Sequence, residues 1–173
     1  MINSKFYRLI LLFILLASSC HAQSIAYANL DTIVNTSEAG KKIISNFAKK
    51  NEKLLESFKI EEQKIKEKEK KIISEKNILQ ESEYINKVNQ LRQEVNIFNE
   101  SNNKKLNDLK LNRDKVLDSF LKEINKILSE FAEQNKIDLI LSSKQIIIGK
   151  SNLDVTKDIL IIVNKKIKGF EIE

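Results

Sequence analysis

From Gly40 to Gln134 the chain has no proline and no further glycine, so nearly a hundred residues run without a helix breaker. A typical globular helix spans only about three turns. One straight helix of this length would be a rod of about 150 Å at about 1.5 Å per residue. Two antiparallel helices of about 70 Å each are the more economical solution, and the apolar spacing supports them. In the first arm Phe58, Ile65, Ile72 and Leu79 recur every seven residues, while the alternate seam positions Glu61, Lys68 and Glu75 are charged. In the second arm Tyr84, Val88, Leu91, Val95 and Phe98 follow the 4-3-4-3 spacing of a coiled-coil seam. Asn102 interrupts this seam, and Leu109, Val116, Phe120, Ile124, Ile127 and Phe131 resume it. The polar residues Gln80 to Glu83 place the tip near 78–84. Toward that tip one arm offers a single large apolar residue per heptad, roughly half the burial of a regular seam at about 1.5–3 kcal/mol per aliphatic. The arm should therefore be helical but easy to bend and splay.

The flanks of the hairpin read differently. Ile25 to Leu30 is a β-branched and aromatic segment, a strand of about six residues. Asn35, Thr36 and Ser37 are good N-caps, with Glu38 and Ala39 suited to a first helical turn. After Asn135 the pattern predicts a strand at Ile137–Leu141, a turn at Ser142–Lys144 and a second strand at Gln145–Ile148. Gly149 is expected to supply a positive φ at its exit. Asp154 or Thr156 should cap a terminal helix over Lys157–Lys166, with Ile159, Ile162 and Val163 on one face. Three short strands would thus meet at the base of the hairpin. So small a sheet is barely stable and its edges invite further pairing. Oligomerisation follows, with the number of copies left open.

The first residues look like an export signal. Lys5 and Arg8 precede the apolar run Leu9–Ala17 and the small residues Ser18 and Ser19. That run is too short to span a bilayer, and cleavage after Ala22 would follow. Ala17-Ser18-Ser19-Cys20 also resembles a degenerate lipoprotein box, with Cys20 as a lipidated first residue. The sequence favours a soluble exported product, and in either case the chain leaves the cytoplasm. Removing the leader takes two of the cations behind the formal charge of +6 and leaves about +4. The expected organisation is a signal peptide at 1–22, a body strand at 23–36, a hairpin arm at 37–134, and body strands with a closing helix at 135–173.

Catalysis finds no purchase in this composition. The chain has one His and one Cys, at positions 21 and 20, so no nucleophile can be paired with an imidazole base. The close carboxylates Glu61 with Glu62 and Glu67 with Glu69 sit among lysines on a wet helix surface. There is no GxxxxGK[ST] or GxGxxG phosphate loop, so an enzyme and an ATP-driven machine are both unexpected, and no cofactor is implied. The run from Lys64 to Lys76 mixes signs and lacks the interleaved aromatics that stack on nucleic acid. Its lysines, chiefly Lys64, Lys68, Lys70 and Lys71, suit instead a screened attraction to an anionic membrane surface. What remains is binding by shape, through apolar residues on loosely paired arms.

Three segments carry a family resemblance. IAYANLDTIVNTSEAGKK (Ile25–Lys42) resembles the opening strand, "Ser-x-x-Gly-Lys" cap and first helix of the Skp/OmpH family of periplasmic chaperones. Lys104–Gln134 is similar to that family's charged ascending helix. KIDLILSSKQIIIGKSNLDVTKDILIIVNKK (Lys136–Lys166) carries its Asp-Leu-Ile-Leu strand, a second apolar strand and "Leu-Asp-Val-Thr" before a closing helix. The resemblance implies a mainly α, α+β chain: a long antiparallel helical hairpin, or coiled-coil arm, on a small β body completed by trimerisation. It implies a homotrimer that holds unfolded outer-membrane proteins in the periplasm without ATP. Client contact would fall on Phe58, Ile65, Ile72, Leu79, Tyr84, Val88 and Leu91, and the trimer body on Ile25, Tyr27, Leu139, Leu141, Ile146 and Ile148. The competing reading is a structural or adaptor coiled coil of the envelope, lipid-anchored through Cys20.

Overall fold

The computed structural model describes residues 23–168. The leader read over 1–22, with Cys20 and its lipidation alternative, lies outside them. The described chain is a mainly helical α+β fold. Strand β1 (Ile25–Ala28) leads into a short helix α1 (Leu30–Thr36), then the two long helices α2 (Glu38–Glu75) and α3 (Glu81–Gln134). Strand β2 (Leu139–Ser142) and helix α4 (Thr156–Lys166) complete it. Because α2 goes out and α3 comes back, β2 returns beside β1 and pairs with it in parallel, Ile25 opposite Leu139 and Tyr27 opposite Leu141.

The Ser-x-x-Gly signature builds the corner where the arm begins. Ser37 ends α1 by donating its backbone N–H to the Ile33 carbonyl. Its hydroxyl then caps α2 by accepting from the Gly40 N–H at 3.2 Å. A Cβ on Gly40 would stand 1.7 Å from the Val34 carbonyl oxygen, so only glycine lets α1 cross the first turn of α2. Next to this corner lies the core. Ile33, Ile43, Phe120, Ile124, Ile159 and Val163 are wholly or almost wholly buried, and Ala26 and Ala28 bring the sheet onto them. All four helices and β1 contribute.

The Leu-Asp-Val-Thr segment is a clasp. Asp154 Oδ1 accepts from the Thr156 N–H at 2.9 Å, and the Thr156 hydroxyl oxygen accepts from the Asn29 N–H at 2.9 Å. Asn164 Oδ1, two turns along α4, accepts from the Glu38 N–H at 2.9 Å. Side chains of α4 thereby satisfy backbone donors at the entrances of α1 and α2, which would otherwise lack partners.

Several sequence expectations need correction. Residues Gln145–Ile148 form no strand: Ser143–Gln145 is a 3-10 turn and the chain then runs on unpaired, with Ile147 98% exposed. Ser142 directs this turn, its hydroxyl accepting from the Lys144 N–H at 3.4 Å. The free edge of β1 is instead met by Asp154 and Val155, whose N–H donates to the Tyr27 carbonyl at 2.9 Å. Gly149 has no positive φ. What it supplies is space, because a Cβ there would lie 2.8 Å from the Tyr27 ring, which would have to shift. The left-handed residue among those described is Lys136, just past the end of α3. The first strand stops at Ala28, since Asn29 caps α1 by accepting from the Thr32 N–H at 3.0 Å. The hairpin turn occupies Lys76–Gln80, earlier than 78–84. Glu81 and Glu83 looked like loop residues but form the first turn of α3, where carboxylates favour the helix N-terminus.

One polar atom is stranded in the arm. Asn102 Oδ1 is buried with no hydrogen-bond partner among the described residues, at the position where the seam pattern breaks. Two substitutions of opposite sign test this account. Gly40→Ala should destabilise the fold by about 3 kcal/mol or more, because the corner is already in contact. Asn102→Leu should stabilise it by about 1–3 kcal/mol by removing the unpaired oxygen. Urea denaturation followed by circular dichroism reads both; an unchanged midpoint for Gly40→Ala would contradict the corner geometry.

Candidate functional site

The arm is held in two different ways along its length. At the base, Ile43 and Phe47 of α2 are buried against Phe120 and Ile124 of α3. Beyond them no residue from Ala48 to Ser119 is buried. The distal seam is therefore only half-closed. Polar contacts hold it along one edge: Lys68 with Glu94, Lys87 with Glu75 at 2.7 Å, and the Lys105 ammonium 5.7 Å from the centre of the Phe58 ring. The hydrogen bond from Lys87 lowers the Glu75 pKa and raises that of Lys87 itself. The pair's contribution is thus lost as pH falls through the lowered Glu75 pKa, or rises through the raised Lys87 pKa. Both groups are solvated, so that contribution is small.

All seven residues expected to contact a client are half-buried, six of them in this seam. Five of them, Ile65, Ile72, Tyr84, Val88 and Leu91, come together in one open crevice of about 600 Å³, edged by Ile73, Glu69, Val95, Arg92 and Asn96. Phe58 lies apart beneath Lys105, and Leu79 sits in the tip turn with its N–H bonded to the Glu75 carbonyl. A second crevice of about 480 Å³ opens nearer the base between Ile44, Phe47, Ala48, Leu106, Leu109 and Leu117. The heptad reading missed the arm's most exposed aliphatics, Ile78, Ile97, Ile73, Leu111 and Ile60. Their one signal was to be apolar off the seam pattern, where a solvated helix ordinarily carries polar residues.

The four candidate lysines do not form one patch. Lys64, Lys68 and Lys71 share a stripe of α2, at i, i+4 and i+7, and Lys70 lies off it. Lys68 is committed to Glu94. Lys64, Lys70 and Lys71 are exposed and have no carboxylate within ion-pair distance among the described residues.

At the body, Ile25, Tyr27, Leu139 and Leu141 share one face of the sheet, and Ala26, Ala28 and Ile140 turn inward onto the helices. Ile25 and Leu139 are exposed on that outer face. The Tyr27 ring packs against Gly149, and its hydroxyl donates to the Lys150 carbonyl at 3.4 Å. Ile146 is half-buried beside it, and Ile148 is almost fully exposed. A crevice of about 360 Å³ separates β2 from α3, between Leu30, Leu128, Ala132, Ile140 and Leu141. Among the described residues no cluster of His, Cys, Asp and Glu is arranged to hold a metal, and no helix is long and apolar enough to cross a membrane.

Comparisons with known proteins bear on this arrangement. No curated protein matches the sequence. Among solved structures, the chain is similar to an OmpH-like protein of Caulobacter crescentus CB15, provisionally described as an outer membrane chaperone. The two superpose with a TM-score of 0.81 over 87% of this chain and 89% of the other, at 13% sequence identity, so the likeness is one of fold. The sequence itself matches the family described as "Outer membrane protein (OmpH-like)" over residues 24–162, from the first residues before β1 into α4. That span takes in the corner, the whole arm and the clasp, and the chain belongs to the OmpH-like family.

Proposed function

We propose that this chain is an ATP-independent holdase that binds unfolded outer-membrane β-barrel proteins in the periplasm and keeps them from aggregating before insertion. The observation that carries the reading is the arm itself: some seventy residues, Ala48 to Ser119, none of them buried as a whole, with two apolar crevices opening along it. A seam that had only to hold two helices together would close over its aliphatics. Half-exposed, they offer many shallow contacts that ask no particular sequence of a partner. Each such contact is weak, so release needs no energy source; a membrane that takes up the barrel draws the equilibrium forward.

The body supplies the assembly. Two four-residue strands cannot make a stable sheet alone. Ile25 and Leu139 on the outer face, with Ile147 and Ile148 on the adjoining loop, form the apolar surface that copies of the chain would share. Three copies would project three arms from one body around a common cavity. Export through the leader would deliver the chain to the periplasm, and Lys64, Lys70 and Lys71 would bias it toward anionic membrane surfaces.

Three outcomes follow. A urea-unfolded outer-membrane barrel diluted into the purified protein, without nucleotide, should show light scattering suppressed to baseline near one trimer per client. Unchanged scattering at several-fold excess of a well-folded oligomer would sink the holdase and favour the structural coiled coil. Ile147→Lys with Ile148→Lys should turn the trimer into monomers in sedimentation velocity, while helicity is kept. Co-sedimentation with anionic vesicles should fall steeply between low and physiological salt, and a salt-independent result would remove the lysines from the account.

A further inference from the structure

The two edges of the hairpin differ in chemistry. Along one edge run the cross-arm polar contacts: ion pairs through Lys87 and Glu94 of α3, and the Lys105 ammonium over the Phe58 ring. The other edge is where both crevices open. Asn96 lines the distal crevice and Leu106 the proximal one. Between them Asn99 and Asn103 continue the same stripe of α3, since steps of three, four and three residues keep to one face of a helix. Asn96, Asn99 and Asn103 are all exposed, and none makes a side-chain hydrogen bond among the described residues. An unpaired amide row thus joins two apolar grooves.

We infer that Asn96, Asn99 and Asn103 form a track that hydrogen-bonds the backbone of an extended, unfolded polypeptide while its apolar side chains enter the crevices on either side. This rests on the holdase reading and names the part of the arm that does the holding. Each carboxamide offers both donors and an acceptor, and no net charge. That suits the unsatisfied N–H and C=O groups of an unfolded chain. A lipid headgroup or a nucleic-acid backbone would call for cations, which this stripe lacks between Arg92 and Lys110. A helix from a second copy would gain nothing from it, because its backbone groups are already paired internally. Asn99 and Asn103, about 6 Å apart along the helix, come near the repeat of about 6.8 Å between equivalent backbone groups of an extended chain, while Asn96, about 4.5 Å from Asn99, extends the row toward the distal crevice. Strands destined for a barrel alternate apolar and polar side chains, so one face can enter the crevices while the backbone meets the amides.

The test separates this track from the fold and from the holdase activity. In the full-length purified protein, Asn96→Ala, Asn99→Ala and Asn103→Ala are combined. Alanine is the better helix former, so a structural role predicts equal or higher thermal stability. The track predicts roughly tenfold weaker capture of an unfolded barrel in the scattering assay, from the loss of about three hydrogen bonds. Asn→Gln at the same three positions should restore most of the capture. A photo-crosslinker at position 99 should label the client strongly and one at Gln90, on the ion-paired edge, weakly. Full activity of the alanine variant with equal labelling from both edges overturns the track and leaves the holdase standing. A wild-type protein that holds no client overturns both.

Discussion

Everything beyond the body depends on how the hairpin is anchored at one end. No residue of the arm between Phe47 and Phe120 is buried, so its direction is set where Ile33, Ile43, Phe120, Ile124, Ile159 and Val163 meet. That packing is possible because Gly40 lets α1 turn hard against α2. Burial of these six side chains, at about 1.5–3 kcal/mol each, concentrates the stabilising contacts in a small fraction of the length. The distal arm adds little of its own. Its cross-arm ion pairs are solvated, and screening by water leaves such pairs with little net effect on stability. Stability and exposed apolar surface are thereby assigned to opposite ends of one hairpin.

The same division explains what could be read before the structure. Helices were legible over the arm because Phe58, Ile65, Ile72 and the Tyr84–Phe98 run keep strict spacing without a breaker, and that spacing is a local property of the chain. The short helix α1 was not legible. Asn29 looked like part of a strand, and its capping role depends on Thr156, 127 residues away. The apolar run Gln145–Ile148 has the composition of a strand, but Asp154 and Val155 meet the second edge of β1 and the run pairs with neither strand of the sheet. Ile147 and Ile148 stand in solvent, while Ile146 is half-buried. Gly149 was correctly singled out, for the wrong property: what matters there is the flat face of Tyr27, a contact no local pattern contains.

The candidate site divided along similar lines. Seam residues were found because periodicity reports which side of a helix meets its neighbour. Periodicity is silent on how fully they are covered, and coverage decides whether a seam is a core or a groove. Tyr84, Val88 and Leu91 line an open crevice because Ile65 and Ile72 face them with charged Lys68 and Glu75 in the alternate places. Those two charges reach across to Glu94 and Lys87 on one edge, leaving the other edge open. The asparagines along that open edge carry no signal in the sequence, where they are ordinary polar residues of a long helix. Side by side with the crevices they become a surface with a hydrogen-bonding character of its own.

Helix α3 is 54 residues long and α2 is 38. The extra length is not at the tip, where the two meet, but at the base, where α3 passes through the core and ends four residues short of β2. It has no proline or glycine along the way, so it works as a single lever of about 80 Å. Its fulcrum lies at Phe120 to Ile127, and the short end beyond, from Leu128 to Gln134, forms one wall of the crevice beside the sheet. A sideways displacement of the tip is therefore delivered, reduced and reversed, to the sheet's own surroundings. The crevices of the arm and the crevice beside the sheet are thus joined by one unbroken helix.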